Sequence, residues 1–202
     1  MERLRRSVAR FVQAEPQEIW PLAWSFGYFF CLLCGYYILR PVRDEMAIQG
    51  GVHNLPWMMT ATFLTMLAAT PIFGWLSARC SRYRLLLTVY VFIIANLVVF
   101  YALMMSHLYQ EWVARSFFVW LSVINLFIVS VFWSFMADIF GLEPSKRLFG
   151  FIAAGGSLGG VMGPVITRYL VGIVGTTNLM LVSLVFLELA TQCVLGLVRL
   201  RG

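Results

Sequence analysis

The chain has 202 residues, of which 61% are hydrophobic and only 12% charged, and its mean hydropathy is +0.84. So few polar groups cannot cover the surface of a water-soluble domain, so the composition excludes one and requires a membrane. The formal net charge of +6 is accounted for below by the placement of loops, which leaves no ground for a nucleic-acid partner.

Residues 1–19 are rich in arginine. Leu4, Val8, Phe11 and Val12 fall on one face of a helix and Arg3, Arg5, Arg6 and Arg10 elsewhere on it. The segment reads either as an amphipathic helix lying on an anionic leaflet or as a basic tail that fixes topology. No small-x-small cleavage pattern follows, so it does not read as a cleavable signal.

Residues 20–202 form one polytopic domain. Apolar runs at 20–39, 57–76, 85–106, 116–136, 148–174 and 178–198 each approach or exceed the roughly 20 residues a helix needs to cross the hydrocarbon core. They are continuous rather than alternating, which predicts helices and excludes barrel strands. With the N-terminus inside, the cytoplasmic segments hold Arg3, Arg5, Arg6, Arg10, Arg79, Arg82, Arg84, Lys146, Arg147, Arg199 and Arg201. Only Arg40, Arg43, Arg115 and Arg168 remain outside that set. The bias places both termini in the cytoplasm, with a bacterial inner membrane as the expected setting.

In the first span, Cys31 and Cys34 have metal-ligand spacing but no second ligand pair, and they read as helix-packing thiols. The span ends Arg40-Pro41-Val42-Arg43-Asp44-Glu45. If the helix continues through Pro41, then Arg40, Arg43 and Asp44 share a face suited to a carboxylate or phosphate; interfacial anchoring with an internal ion pair is the competing reading. Gly50-Gly51 predicts the end of that helix and Asn54 with Pro56 the start of the next. Residues 77–84 are a tight turn, 107–114 a link anchored by Trp112, 141–145 a Gly/Pro break and 175–177 the last link. His53 and His107 fall in loops, without the spacing of a metal site. Asn96 and Asn125 read as interhelical hydrogen-bonding groups.

The fifth span carries Gly150, Gly155, Gly156, Gly159, Gly160 and Gly163-Pro164 behind the basic pair Lys146-Arg147. Small residues four apart let helix backbones approach closely, giving a packing seam along which helices could also rock. Arg168 lies inside the end of that span. Glu188, with Gln192 one turn on, sits mid-membrane in the sixth, where a charge is costly. It is a proton-coupling candidate or a protonated carboxyl bonded to a neighbour.

The stretch from Gly74 to Arg84, with Gly74, Leu76, Arg79, Arg82 and Arg84 in place, resembles the loop motif between the second and third helices of the major facilitator superfamily. Ala78 stands where that motif has Asp, and Ser81 where it has a second Gly. Gly150, Gly159 and Gly163-Pro164 have the spacing of the helix-five motif of its antiporter branch, whose closing Gly pair is here Thr167-Arg168. Two further patches, Ile38-Leu39-Arg40 with Arg43-Asp44, and Phe132 to Asp138 with Lys146-Arg147, are similar to stretches of the ATP/ADP translocases of plastids and intracellular bacteria.

The resemblance implies an all-α fold of two three-helix inverted repeats, the N-terminal half of a twelve-span transporter. It also implies that Arg43 and Asp138 belong to the transport apparatus. The expected function is secondary transport of an anionic solute, nucleotide exchange included, by alternating access and without cofactor or metal. Arg40, Arg43, Asp44 and Arg168 would meet the solute, while Gly74, Arg79, Arg82, Asp138, Lys146, Arg147, Gly150, Gly159, Gly163 and Pro164 would shape the gate. The expected partners are the bilayer and a second six-helix half or a second copy. The rival expectation is a truncated or non-transporting protein that acts only as an assembly partner. No Ser/His, paired-Asp or zinc constellation supports an enzyme.

Overall fold

The computed structural model describes residues 18–107 and 109–201, so the two readings of the arginine-rich segment lie outside the described residues except at its last two positions. Six long helices fill the described chain: α1 (Ile19–Gln49), α2 (Leu55–Arg79), α3 (Arg82–Met105), α4 (Gln110–Phe140), α5 (Leu142–Val174) and α6 (Leu179–Arg201), with a 3-10 turn at Val52–Asn54. All six are long and apolar enough to cross a membrane, and the chain is an integral membrane protein. Short links make successive helices antiparallel. The bundle therefore has a proximal end, with the starts of α1, α3 and α5, and a distal end, with the starts of α2, α4 and α6.

The helices outrun the hydrophobic segments that predict them. α1 continues unbroken through Pro41 to Gln49, because a missing N–H costs one hydrogen bond and the flanking residues keep helical geometry. α4 begins at Gln110 rather than near Ser116, and α5 begins directly after Gly141, whose φ of +68° reverses the chain. Pro144 falls in the first turn of α5, where its lost N–H has no helical acceptor; the 141–145 break is therefore a single glycine. Only Cys80-Ser81 separates α2 from α3. At the first distal turn Gly51 takes φ +90°, a conformation open to glycine. Asn54 makes no side-chain cap there; its amide donates back to the Gly50 carbonyl at 3.4 Å.

α1 is the axis of the bundle and packs most extensively on α5 and α6, then on α4. α4 in turn carries α3 and α2, and α3 reaches α6. The α1–α5 contact is made by glycine. These helices run parallel, and a Cβ added at Gly155 would stand 2.6 Å from the Phe26 carbonyl oxygen. One at Gly159 would collide with the Phe30 carbonyl, and one at Gly163 would lie 3.0 Å from the Cys34 carbonyl and 2.7 Å from the Tyr37 Cβ. The step of four on α5 thus meets the same step of four on α1. Inside a bilayer, where burying apolar surface gives helices no reason to associate, such close backbone contact supplies the dispersion attraction that holds them.

α6 approaches α1 in the same manner from the other side, with Gly35 of α1 against Ser183 and Phe186. The buried Ser183 hydroxyl donates to the Gly35 carbonyl at 2.9 Å. The centre is aromatic: Phe29 stacks on Phe132 at 4.1 Å, and Tyr28 meets Phe132 at 4.9 Å. The buried hydroxyls of Tyr28 and Tyr90 bond each other at 2.9 Å, so each has a partner in a region without water. α2 contrasts with all of this. Met58 is its single buried residue, and Trp57, Phe63, Leu67 and Ile72 are exposed.

Filling the seam should therefore loosen the bundle, and filling an open glycine should not. Gly159→Val is expected to cost about 1–3 kcal/mol through overpacking, whereas Gly150→Val, with nothing within 4 Å of its added Cβ, should behave like the parent protein. Thermal unfolding of the two variants in detergent, followed by size-exclusion chromatography, checks the difference.

Candidate functional site

Three arginines, Arg40, Arg43 and Arg168, and the carboxylate of Asp44 are the candidates at or near the ends of the spans, and the structure separates their environments. Arg40 is exposed on α1 with its guanidinium over the Tyr37 ring at 5.8 Å. Arg43, one turn on, turns away from the Arg40 face toward α4, where it lies 5.3 Å over the Phe118 ring. The expected common face of Arg40, Arg43 and Asp44 is therefore split: Arg40 and Asp44 stay exposed while Arg43 is half-buried in the α1–α4 crevice. Its Nε and Nη2 both donate to Asp44 Oδ1, at 3.1 and 2.7 Å.

Arg168 is exposed on α5. Its position follows from the glycine register: Gly163 meets Cys34 and Tyr37, so five residues further along a parallel helix lies the level of Arg40. Gly160 faces the Tyr37 ring, its added Cβ 3.3 Å away, which seats the ring that carries Arg40 against α5. Among the described residues neither Arg40 nor Arg168 makes a hydrogen bond or ion pair. Two guanidiniums without a partner thus stand at about the same level of α1 and α5, and a third, Arg43, keeps spare N–H groups in the neighbouring α1–α4 crevice.

That arrangement has a defined chemistry. A cation over an aromatic face is held without using its N–H edges, so Arg40 keeps all five donors. Arg43 has two donors directed at Asp44 and three left over. Planar forks of this kind bind carboxylate and phosphate bidentately, which an ammonium cannot do. Tyr37 and Phe118 escaped the sequence reading. The signal was present for Tyr37, which precedes Arg40 by three residues on one helical face; Phe118 becomes a partner only once α1 and α4 pack.

The proximal residues lie apart from this patch. Arg147 reaches Glu18 at 3.3 Å and so ties the start of α5 to the start of α1. Asp138 is exposed near the end of α4 and takes part in an interaction of its own. Arg79 stacks on Trp75 at 4.5 Å, and Gly74 has nothing within 4 Å of an added Cβ. The side chains of Arg82 and Lys146 lie outside the described part of the structure. Within the glycine ladder, Gly155, Gly159 and Gly163 are occupied by α1 and Gly150 is open. Pro164, with Leu158 and Val161, forms the exposed face of α5.

Glu188 is exposed on α6 and accepts a hydrogen bond from Gln192 Nε2 at 2.7 Å. Asn96 donates to the Phe92 carbonyl of its own helix, while Tyr101 bonds Asn178 at 2.9 Å and joins α3 to the start of α6. Among the described residues no group of three His, Cys, Asp or Glu side chains is gathered that could hold a metal.

A second feature lies on the opposite flank, where α2 stands away from α3 and α4. The cleft between them has a volume of about 1050 Å³ and is lined almost wholly by apolar side chains, Ala61, Ala69, Phe73, Phe92 and Phe127 among them. Asn54, Arg115 and Ser116 lie at its distal mouth, and Thr65 and Thr88 are the other polar residues of the lining. Such a largely apolar lining is complementary to the apolar groups of a surrounding bilayer.

Comparison with known protein families, with curated proteins and with solved structures finds no match to this chain.

The hydrogen bond that Glu188 accepts from Gln192 is one that an amide oxygen at position 188 can accept equally. Glu188→Gln is accordingly expected to leave stability within about 0.5 kcal/mol of the parent. Glu188→Lys should destabilise by roughly 2.5–3.5 kcal/mol, the scale of a cation at mid-membrane. Denaturant titration of the reconstituted variants measures both.

Proposed function

We propose that this chain is one six-helix half of a secondary transporter that moves an anionic solute by alternating access, with phosphate-bearing solutes such as nucleotides first among those to test. The observation that carries this reading is the set of arginines with donors to spare at the distal ends of the spans: Arg40 over Tyr37 on α1, Arg168 at about the same level of α5, and Arg43 in the α1–α4 crevice. Ionisable residues within membrane-spanning helices are costly and mark solute pathways.

The packing supports the architecture. Exchanging α1–α3 with α4–α6 carries the α1–α5 contact onto α4–α2, and the α1–α6 contact onto α4–α3, while α1–α4 and α3–α6 map onto themselves. That is the pattern of two three-helix inverted repeats, an arrangement common among secondary transporters, whose solute sites lie at repeat interfaces. The resemblance of the glycine ladder and the Gly74 to Arg84 loop to the major facilitator superfamily points the same way, as does the likeness of the Arg43 and Asp138 patches to the ATP/ADP translocases. In this reading both termini are cytoplasmic, the distal end faces outward, and a second half covers the exposed faces of α2 and α5. Arg147 with Glu18, and Asp138, would belong to the inner gate.

A transport assay tests the reading. Vesicles containing the chain together with its partner half are expected to exchange radiolabelled nucleotide or another organic phosphate. Arg40→Ala and Arg168→Ala should each weaken uptake about tenfold or more, since a charge-assisted pair contributes about 1.5–3 kcal/mol. Arg40→Lys should rescue only in part, because the bidentate fork is lost. Absence of exchange with every organic phosphate and carboxylate tried, or binding indifferent to all three arginines, would contradict it.

A further inference from the structure

The geometry points to the cleft between α2, α3 and α4 as a binding site for a single phospholipid with an ethanolamine headgroup, taken from the leaflet at the distal end. The shape of the lining carries the first part of the inference. A largely apolar channel bordered by Ala61, Ala69, Phe73 and Phe127, with Arg115 at its distal mouth as the one charged side chain of the lining, is complementary to an amphiphile rather than to a polar solute. Apolar cavities stay dry, and the space lies where lipid chains are the solvent. Trp57 and Trp112 stand at the same mouth, both largely exposed, as expected of side chains that sit at headgroup level.

The headgroup follows from Arg115. Its Nε donates to the Gly50 carbonyl at 2.9 Å and its Nη2 to Glu111 Oε2 at 2.8 Å, with the guanidinium 5.1 Å over the Trp112 ring. These contacts fix the plane of the side chain and use two of its five donors, leaving three for phosphate oxygens at the mouth. Glu111, four residues earlier and more exposed than its partner, sets a carboxylate beside that cation. Adjacent cation and anion match a zwitterion carrying phosphate next to ammonium. A primary ammonium can donate hydrogen bonds to Glu111, which a quaternary one cannot, and a purely anionic headgroup would be repelled by it. The seated lipid would replace the packing α2 lacks, since Met58 is the one residue of that helix buried by protein.

The test uses the whole chain, reconstituted into vesicles with equal shares of ethanolamine, choline and glycerol phospholipids. It is then released in mild detergent and examined by native mass spectrometry. A single ethanolamine lipid is expected to remain with each chain. Arg115→Gln should reduce its retention about tenfold or more, as expected for loss of a charge-assisted phosphate contact. Glu111→Gln should remove the preference for ethanolamine over choline, and Ala69→Trp, which fills the channel midway, should expel the lipid. Should Arg115→Gln not fold, the other two variants still decide the matter. Retention that mirrors the vesicle composition would overturn the proposal, as would a preference for the anionic glycerol lipid, unchanged retention in Ala69→Trp, or a lipid-free cleft filled by a second copy of the chain.

Discussion

Close contact between the backbones of α1 and α5 is the constraint on which the rest of the bundle rests. In a bilayer, helices gain little from hiding apolar surface from one another, because lipid tails are equally apolar. What they gain comes from contact area and from short approaches that a larger residue would prevent. Gly155, Gly159 and Gly163 permit that approach along three successive turns against Phe26, Phe30 and Cys34. The axis so formed fixes the heights of everything attached to it, including Tyr37 and Arg40 relative to Arg168. A displacement of one turn would carry Arg40 and Arg168 about 5 Å out of level with one another.

The two flanks of the bundle differ in kind. α1 is clasped on both sides, by α5 through glycine and by α6 through Gly35 and the Ser183 hydroxyl. α4 is the counterpart of α1 in connectivity, but it holds α2 across an apolar cleft instead of a backbone seam. The difference traces to composition: α5 has six glycines between Gly150 and Gly163, while α2 has only Gly74, whose added Cβ would meet nothing. One flank is thus set by protein contacts alone, and the other has room for lipid or for movement of α2 against α4.

Much of this was legible in the residues, for physical reasons that also mark where legibility ends. Span number and approximate position follow from hydropathy because the bilayer enforces one length scale. The seam at Gly155, Gly159 and Gly163 was readable because small residues four apart let helix backbones approach, although Gly150 and Pro164, read with it, lie outside the contact. Which helix fills the seam was not, since the partner's contribution is its backbone, which leaves no mark in sequence. The end of α1 was marked by Gly50-Gly51, whereas the start of α4 was misplaced because polar residues extend that helix beyond the hydrocarbon, back to Gln110. The splitting of Arg43 from Arg40 needed the position of Phe118. The α2 cleft left no sequence signal, because a helix that faces lipid and one that faces a gap are equally apolar.

Spin-label distance measurement across the two flanks tests the account most directly. Labels on exposed positions of α1 and α5, Ala23 and Leu158, are expected to give one narrow distance distribution that is the same in detergent and in vesicles. Labels on α2 and α4, Ala68 and Leu126, should give a broader one that shifts between the two environments. A narrow, environment-independent α2–α4 distance together with a broad α1–α5 distance would contradict the claim that the glycine seam is the fixed element of this bundle.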